Sequence, residues 1–161
     1  MTQTDILQAG SDLLRGLSHE DAERTLALGS RIVIPGGEEL FHLGGQADCL
    51  YLVSQGRINL TLPMQIRGKD HDIQVEERKQ GQTVGWSALI PPYRFTLRAV
   101  APLRTEVIAI ARGALQEHFK HFPEIGYKVS LNLASVIGQR LQLFEAMWAR
   151  EMARMVELRC A

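Results

Sequence analysis

Between Arg31 and about Ala111, apolar residues recur at every second position, and glycines interrupt the pattern at Gly36-Gly37, Gly44-Gly45, Gly56, Gly68, Gly81 and Gly85. No other feature of the chain constrains the fold as much. Period two is the spacing of strands with one buried face, and turn signals this close together leave no room for the crossover helices of a parallel sheet. The expectation is a mainly β domain with flanking helices, built as a closed or double-sheet antiparallel jelly roll. Arg57–Leu62, Asp72–Glu76 and Arg94–Ala99 each alternate, and Thr105–Ile110 reads as the last strand. The segment Gln65–Asp72, with Gly68 among charged residues, reads as a mobile hairpin loop.

Helical spacing flanks this region. Leu7, Leu13, Leu14 and Leu17 lie near 3.6-residue intervals, and Ser18-His19-Glu20-Asp21 resembles a capping box opening a second helix that Gly29 ends. After Pro123 the chain runs to Arg159 without another proline, which predicts a long helix, on the order of 45 Å for some thirty residues. Leu133, Ile137, Leu141, Phe144, Trp148, Met152 and Met155 follow an eleven-residue repeat, while Arg140, Glu145, Arg150, Glu151, Arg154 and Glu157 fall on its other faces. A roll of this size covers Leu133 and Ile137 only. The outer stripe, Leu141, Phe144, Trp148, Met152 and Met155, is therefore expected to form a homodimer interface, with a partner helix of another protein as the competing use. The domain plan is helices in 1–30, the β-roll in 31–112 and C-terminal helices in 113–161.

Charge and composition exclude several function classes. Eighteen Lys and Arg balance eighteen Asp and Glu, so no overall field draws the chain to nucleic acid or acidic lipid. Apolar runs fall far short of the ~20 residues that span a bilayer, and the first five residues lack the basic start and apolar middle of a signal peptide. No membrane association and a cytoplasmic location are expected. Cys49 and Cys160 make neither a disulfide framework nor a metal-ligand spacing, and both are expected as free thiols. His19, His42, His71, His118 and His121 are scattered, with no His-x-His pair for a metal-binding jelly roll. Ser87 in Gly85-Trp86-Ser87-Ala88-Leu89 lacks the second glycine of a nucleophile elbow. The expectation is no metal site, no catalytic residue and no enzymatic activity.

Two stretches carry a resemblance. Glu38-Glu39-Leu40-Phe41-His42-Leu43-Gly44 followed by Ala47-Asp48-Cys49-Leu50-Tyr51-Leu52-Val53-Ser54-Gln55-Gly56 resembles the opening of the cyclic nucleotide-binding domain family, and Gly81 to Ala99 resembles its phosphate-binding cassette. The resemblance implies a ligand-sensing roll, with a cyclic nucleotide such as cAMP or cGMP held by Val84, Gly85, Trp86, Ser87, Ala88, Tyr93, Arg94, Phe95 and Thr96. It also implies no required cofactor, and signal transduction through the C-terminal helix to a protein effector. Trp86 stands where the family has a Glu for the ribose hydroxyl, and Tyr93 stands in the slot of its phosphate-pairing Arg, with Arg94 one residue late. Trp offers a single N–H and no acceptor, so the usual ribose contact is lost. The two aromatics either form a wall for a planar ligand, with Arg94 or Arg98 meeting an anionic group, or fill the pocket. Relatives of the catabolite-activator type append a helix-turn-helix of some 60–80 residues, for which the chain, ending at Ala161, has no room. The expected function is thus a non-enzymatic sensor module without direct DNA binding. A ligand-free dimeric scaffold is the alternative.

Overall fold

The computed structural model describes residues 2–160. Eight strands form two four-stranded antiparallel sheets. The first sheet orders β1 (Ser30–Ile34), β8 (Thr105–Ala111), β3 (Cys49–Gln55) and β6 (Thr83–Val84); the second orders β2 (Glu39–Phe41), β7 (Arg98–Val100), β4 (Arg57–Ile66) and β5 (Lys69–Lys79). Between them lies one apolar core. Leu50, Val53, Val84, Val107 and Ile110 enter it from the first sheet, and Phe41, Ile58, Leu60 and Ala99 from the second. This is the jelly roll that the alternation and the glycine turns require.

Local physics moves several boundaries. Helix α1 (Gln3–Gly10) stops before Leu13, Leu14 and Leu17, which are nonetheless buried from a turn. The Ser11 hydroxyl takes up the free N–H groups of Leu13 and Leu14, and Asn132 donates to the carbonyls of Leu13 and Arg15, so this backbone is satisfied without a helix. Ser18 caps α2 (His19–Leu26) through the Asp21 N–H, whereas a reciprocal capping box forms at α1, between Thr2 and Asp5. Gly29 lies beyond the end of α2, and a Cβ there would collide with the Ile108 side chain, so its role is close approach to β8. Strand β5 is longer than its alternation predicts. Gln65–Asp72 is not a loose loop, because Arg67 and Gly68 both adopt left-handed φ (51° and 74°) and the ladder continues to Ile66 and Lys69 on either side. Arg94–Leu97, expected as strand, pairs only through a single bridge from Arg94 to Gln46, and the ladder begins at Arg98.

After α3 (Arg112–His121), helix α4 (Pro123–Cys160) runs for 38 residues, roughly 57 Å. Its buried stripe is Ile125, Val129, Leu133 and Val136. On the opposite side Tyr127, Leu131, Leu141 and Trp148 are 70%, 55%, 56% and 67% exposed. The open stripe keeps a seven-residue step, Tyr127, Ala134, Leu141, Trp148 and Met155 alternating with Leu131, Gly138, Glu145 and Met152, which is the spacing of a coiled-coil seam. The eleven-residue stripe expected from sequence joins two faces: Leu133 and Ile137 meet the roll, whereas Leu141, Trp148 and Met155 look away from it. Phe144 and Met152 are half-buried. Eight residues from Leu133 to Leu141 overshoot two turns by about 80°, enough to change face.

His118 joins the helical layers. It is buried, its Nε2 lies 3.3 Å from the Thr25 hydroxyl of α2, and its ring meets Phe122 at 5.0 Å. Burial holds its pKa below the ordinary imidazole value, and nearby Arg24 adds to the effect; Asp21 opposes it. The unfolded chain therefore binds the proton more readily, so this residue's contribution to stability is complete above about pH 6.5 and is lost as pH falls below it. Urea unfolding between pH 5 and 8 should show the natural chain losing more stability on acidification than His118→Gln, with the difference confined to the acid side of that window.

Candidate functional site

The cassette begins where β6 ends. Gly85 adopts a left-handed conformation (φ 80°, ψ 34°), and the next four residues, Trp86–Leu89, make one 3₁₀ turn. Only glycine fits this corner without strain, because a Cβ on Gly85 would lie 3.1 Å from Phe95 and 3.3 Å from Tyr51. Tyr51 packs beneath it, its phenol pushed up to about 12, chiefly by burial. The floor of the site is a stack of Phe41 on Phe95, with ring centroids 3.6 Å apart and planes within 7°. Above the floor is a cavity of about 10 Å³, room for one water, lined by Phe41, Leu60, Gly85, Trp86, Ser87, Phe95, Thr96, Leu97 and Arg140.

Of the nine residues assigned from the resemblance, Gly85, Trp86, Ser87, Phe95 and Thr96 line this cavity. The other four do not. Val84 pairs with Tyr51 in the first sheet, and Ala88 is fully buried in the core. Tyr93 has a left-handed φ of 58° and carries the Arg112 guanidinium over its ring at 4.0 Å, outside the cavity. Arg94 is exposed and donates to the Gly44 carbonyl at 3.2 Å. Arg98, the other cation considered for an anionic group, is paired with Glu39 and with Asp72 at 2.6 Å. The expected aromatic wall thus reduces to Trp86 alone.

The residue that sequence reasoning missed is Arg140. Read as a solvent charge of the outer helix, it is instead nine-tenths buried and is the one cationic residue lining the cavity. Its guanidinium lies 5.5 Å from the centre of the Trp86 ring and grips Glu76 of β5 through Nη2 at 2.8 Å and Nε at 3.2 Å. Burial pushes its pKa below the ordinary arginine value, and Glu76 pulls it back. Glu76 also reaches Arg78 at 3.1 Å, and Arg78 reaches Asp12 at 3.0 Å. Asp12 accepts from the Thr83 N–H and hydroxyl at 3.0 and 2.9 Å, two residues before Gly85. Spacing held the signal for Arg140, which follows Val136 by four residues on the stripe of Ile125, Val129 and Leu133. The Trp86 Nε1 is buried with no hydrogen-bond partner.

Among the described residues no group of three or more His, Cys, Asp or Glu is placed to hold a metal ion, and no helix is long and apolar enough to cross a membrane. Cys49 and Cys160 are free thiols. Burial pushes the Cys49 thiol up, away from a reactive thiolate.

Residues 31–122 match the cyclic nucleotide-binding domain family. The chain is similar to the Pycsar effector protein XpPycTIR of Xanthomonas perforans, 26% identical over 128 residues; the match takes in 79% of this chain and 40% of that one, so the chain spans two fifths of the relative. Among solved structures it is similar to the catabolite activator protein of Thermus thermophilus, with a TM-score of 0.72 and 26% identity over 89% of this chain and 63% of that chain. It also shares its fold with the c-di-GMP-responsive global regulator CLP of Xanthomonas campestris, at a TM-score of 0.72 and 20% identity over 83% of this chain and 64% of that one.

The corner at Gly85 gives a direct test of the cassette geometry. Gly85→Ala should cost roughly 1–2 kcal/mol for the left-handed backbone alone, and more where the new methyl presses on Phe95. Chemical denaturation should report a lower midpoint.

Proposed function

Because the chain belongs to the cyclic nucleotide-binding domain family, we propose that it is a regulatory sensor module that takes a cyclic nucleotide between the Gly85 turn and α4 and signals through that helix. The observation that carries this reading is that Arg140 of α4 and Trp86 of the cassette line the same cavity. A ligand entering there meets the cassette and the output helix together. A change of helix position follows only if the ligand binds the two positions with different affinity, and a group on the helix itself provides that difference. The ligand class is a cyclic nucleotide with an anionic phosphate, cAMP and cGMP included; the cyclic dinucleotide named for the Xanthomonas campestris regulator belongs in the same trial.

We further infer a homodimer through α4. Its support is the seven-residue seam of Tyr127, Leu131, Leu141, Trp148, Met152 and Met155, most of it open to water, which a two-fold partner would cover on both chains at once. A protein effector is the receiver of the signal in this reading. A second reading, a ligand-free dimeric scaffold descended from such a sensor, is favoured by the size of the cavity, about 10 Å³.

Calorimetric titration with the four 3′,5′-cyclic nucleoside monophosphates and with cyclic dinucleotides, run beside thermal unfolding, separates the two. A true ligand at 100 times its Kd should add about 2.7 kcal/mol of stability and several degrees of Tm. Neither heat nor shift at millimolar concentration would leave the scaffold reading. For the dimer, replacing Leu141 and Trp148 with Glu should give a soluble monomer in sedimentation with the β signal of the roll unchanged. A natural chain that sediments as a monomer at tens of micromolar would refute the seam.

A further inference from the structure

We propose that Arg140, on the C-terminal helix, is the anion-binding residue of this cavity, and that a ligand's phosphate replaces Glu76 as its partner. The inference rests on the ligand reading above and assigns its recognition chemistry. A buried guanidinium cannot be left without an anion, because the desolvation of the charge is recovered only through a close, hydrogen-bonded partner. Here that partner is Glu76, 2.8 Å away. The cavity has room for one water at most, so any larger ligand must displace the roof of Trp86 and Arg140, and in doing so disturbs the ion pair.

The two ends of the pair differ in what they lose. Glu76 keeps a second arginine, Arg78, at 3.1 Å, so its carboxylate stays paired when Arg140 departs. Arg140 has no carboxylate besides Glu76 among its ion pairs. A neutral ligand would strand the guanidinium, whereas a phosphate brings oxygens to the same Nε and Nη2 donors that now converge on the single carboxylate oxygen Oε2. The exchange therefore selects an anion, and it selects through a residue of the helix whose position carries the output. The other cations near the cassette are committed elsewhere: Arg112 covers Tyr93, Arg98 holds Glu39 and Asp72, and Arg94 faces Gly44.

The test uses the full chain and whichever cyclic nucleoside monophosphate the titration shows to bind, with the matching uncharged nucleoside as control. Arg140→Met keeps the bulk of the stem and removes the charge; it should weaken the cyclic nucleotide by about tenfold to a hundredfold, the range of one charge-assisted contact, and leave the nucleoside unchanged. Arg140→Lys should recover part of the loss. Glu76→Gln, which removes the competing carboxylate charge while keeping a hydrogen-bonding group for Arg78, should tighten binding several-fold. Equal affinity of the natural chain, Arg140→Met and Glu76→Gln for the cyclic nucleotide would overturn the assignment of Arg140 and leave the sensor reading in place. If Arg140→Met fails to fold by circular dichroism, unchanged affinity in both Arg140→Lys and Glu76→Gln overturns it. No binding by the natural chain refutes the sensor reading, and this inference with it.

Discussion

A guanidinium taken out of water must find an anion, and the consequences of that rule run through this molecule. Arg140 and Arg78 are held with side chains 10% and 6% exposed, and each is paired. The pairs join into a chain of alternating charges: Arg140 of α4, Glu76 and Arg78 of β5, Asp12 of the N-terminal turn, and from Asp12 two hydrogen bonds to Thr83 of β6. The N-terminal turn, the β5–β6 region of the roll and the C-terminal helix, far apart in sequence, are thereby fixed to one another. Losing Glu76 costs more than one pair, because Arg140 has no other carboxylate among its ion pairs and is left as a buried, unpartnered charge.

The cassette shows how aromatic side chains shape a site. The side chain that follows Gly85 is an indole with no acceptor, and it takes Arg140 against its face. The phenylalanine stack of Phe41 and Phe95 closes the space from below. Tyr93 turns outward under Arg112, held by a left-handed backbone that non-glycine residues rarely adopt. Aromatic rings make much of the cavity's lining, and its charged lining residue, Arg140, belongs to the helix.

Helix α4 is two helices in terms of packing. Its first half buries Ile125, Val129, Leu133 and Val136 against the roll and α3, and its seven-residue seam faces away from them. Past Arg140 the roll ends and both sides become exposed, with Leu143 and Met147 at 43% and 42% on the side continuing the buried stripe. A helix of this kind is stabilised at one end by its own domain and carries apolar surface at the other that water does not favour.

Much of this was legible in the chain. Period-two alternation and glycine turns determined the antiparallel roll, the absence of proline after Pro123 determined the long helix, and the family motif placed the Gly85 corner, because each is a property of consecutive residues. The exact ends of elements were not, since Ser11 and Asn132 satisfy the backbone that would otherwise have prolonged α1. Nor was the direction of Tyr93, which a left-handed backbone and the Arg112 guanidinium set. Above all, the tertiary structure decided Arg140. As a letter in an amphipathic helix it reads as one solvent charge among several, and its meaning comes from Glu76, 64 residues earlier, and from Trp86, neither of which any local pattern connects to it. Periodicity tells which side of an element turns from water; which charges meet behind it is settled only when the elements pack.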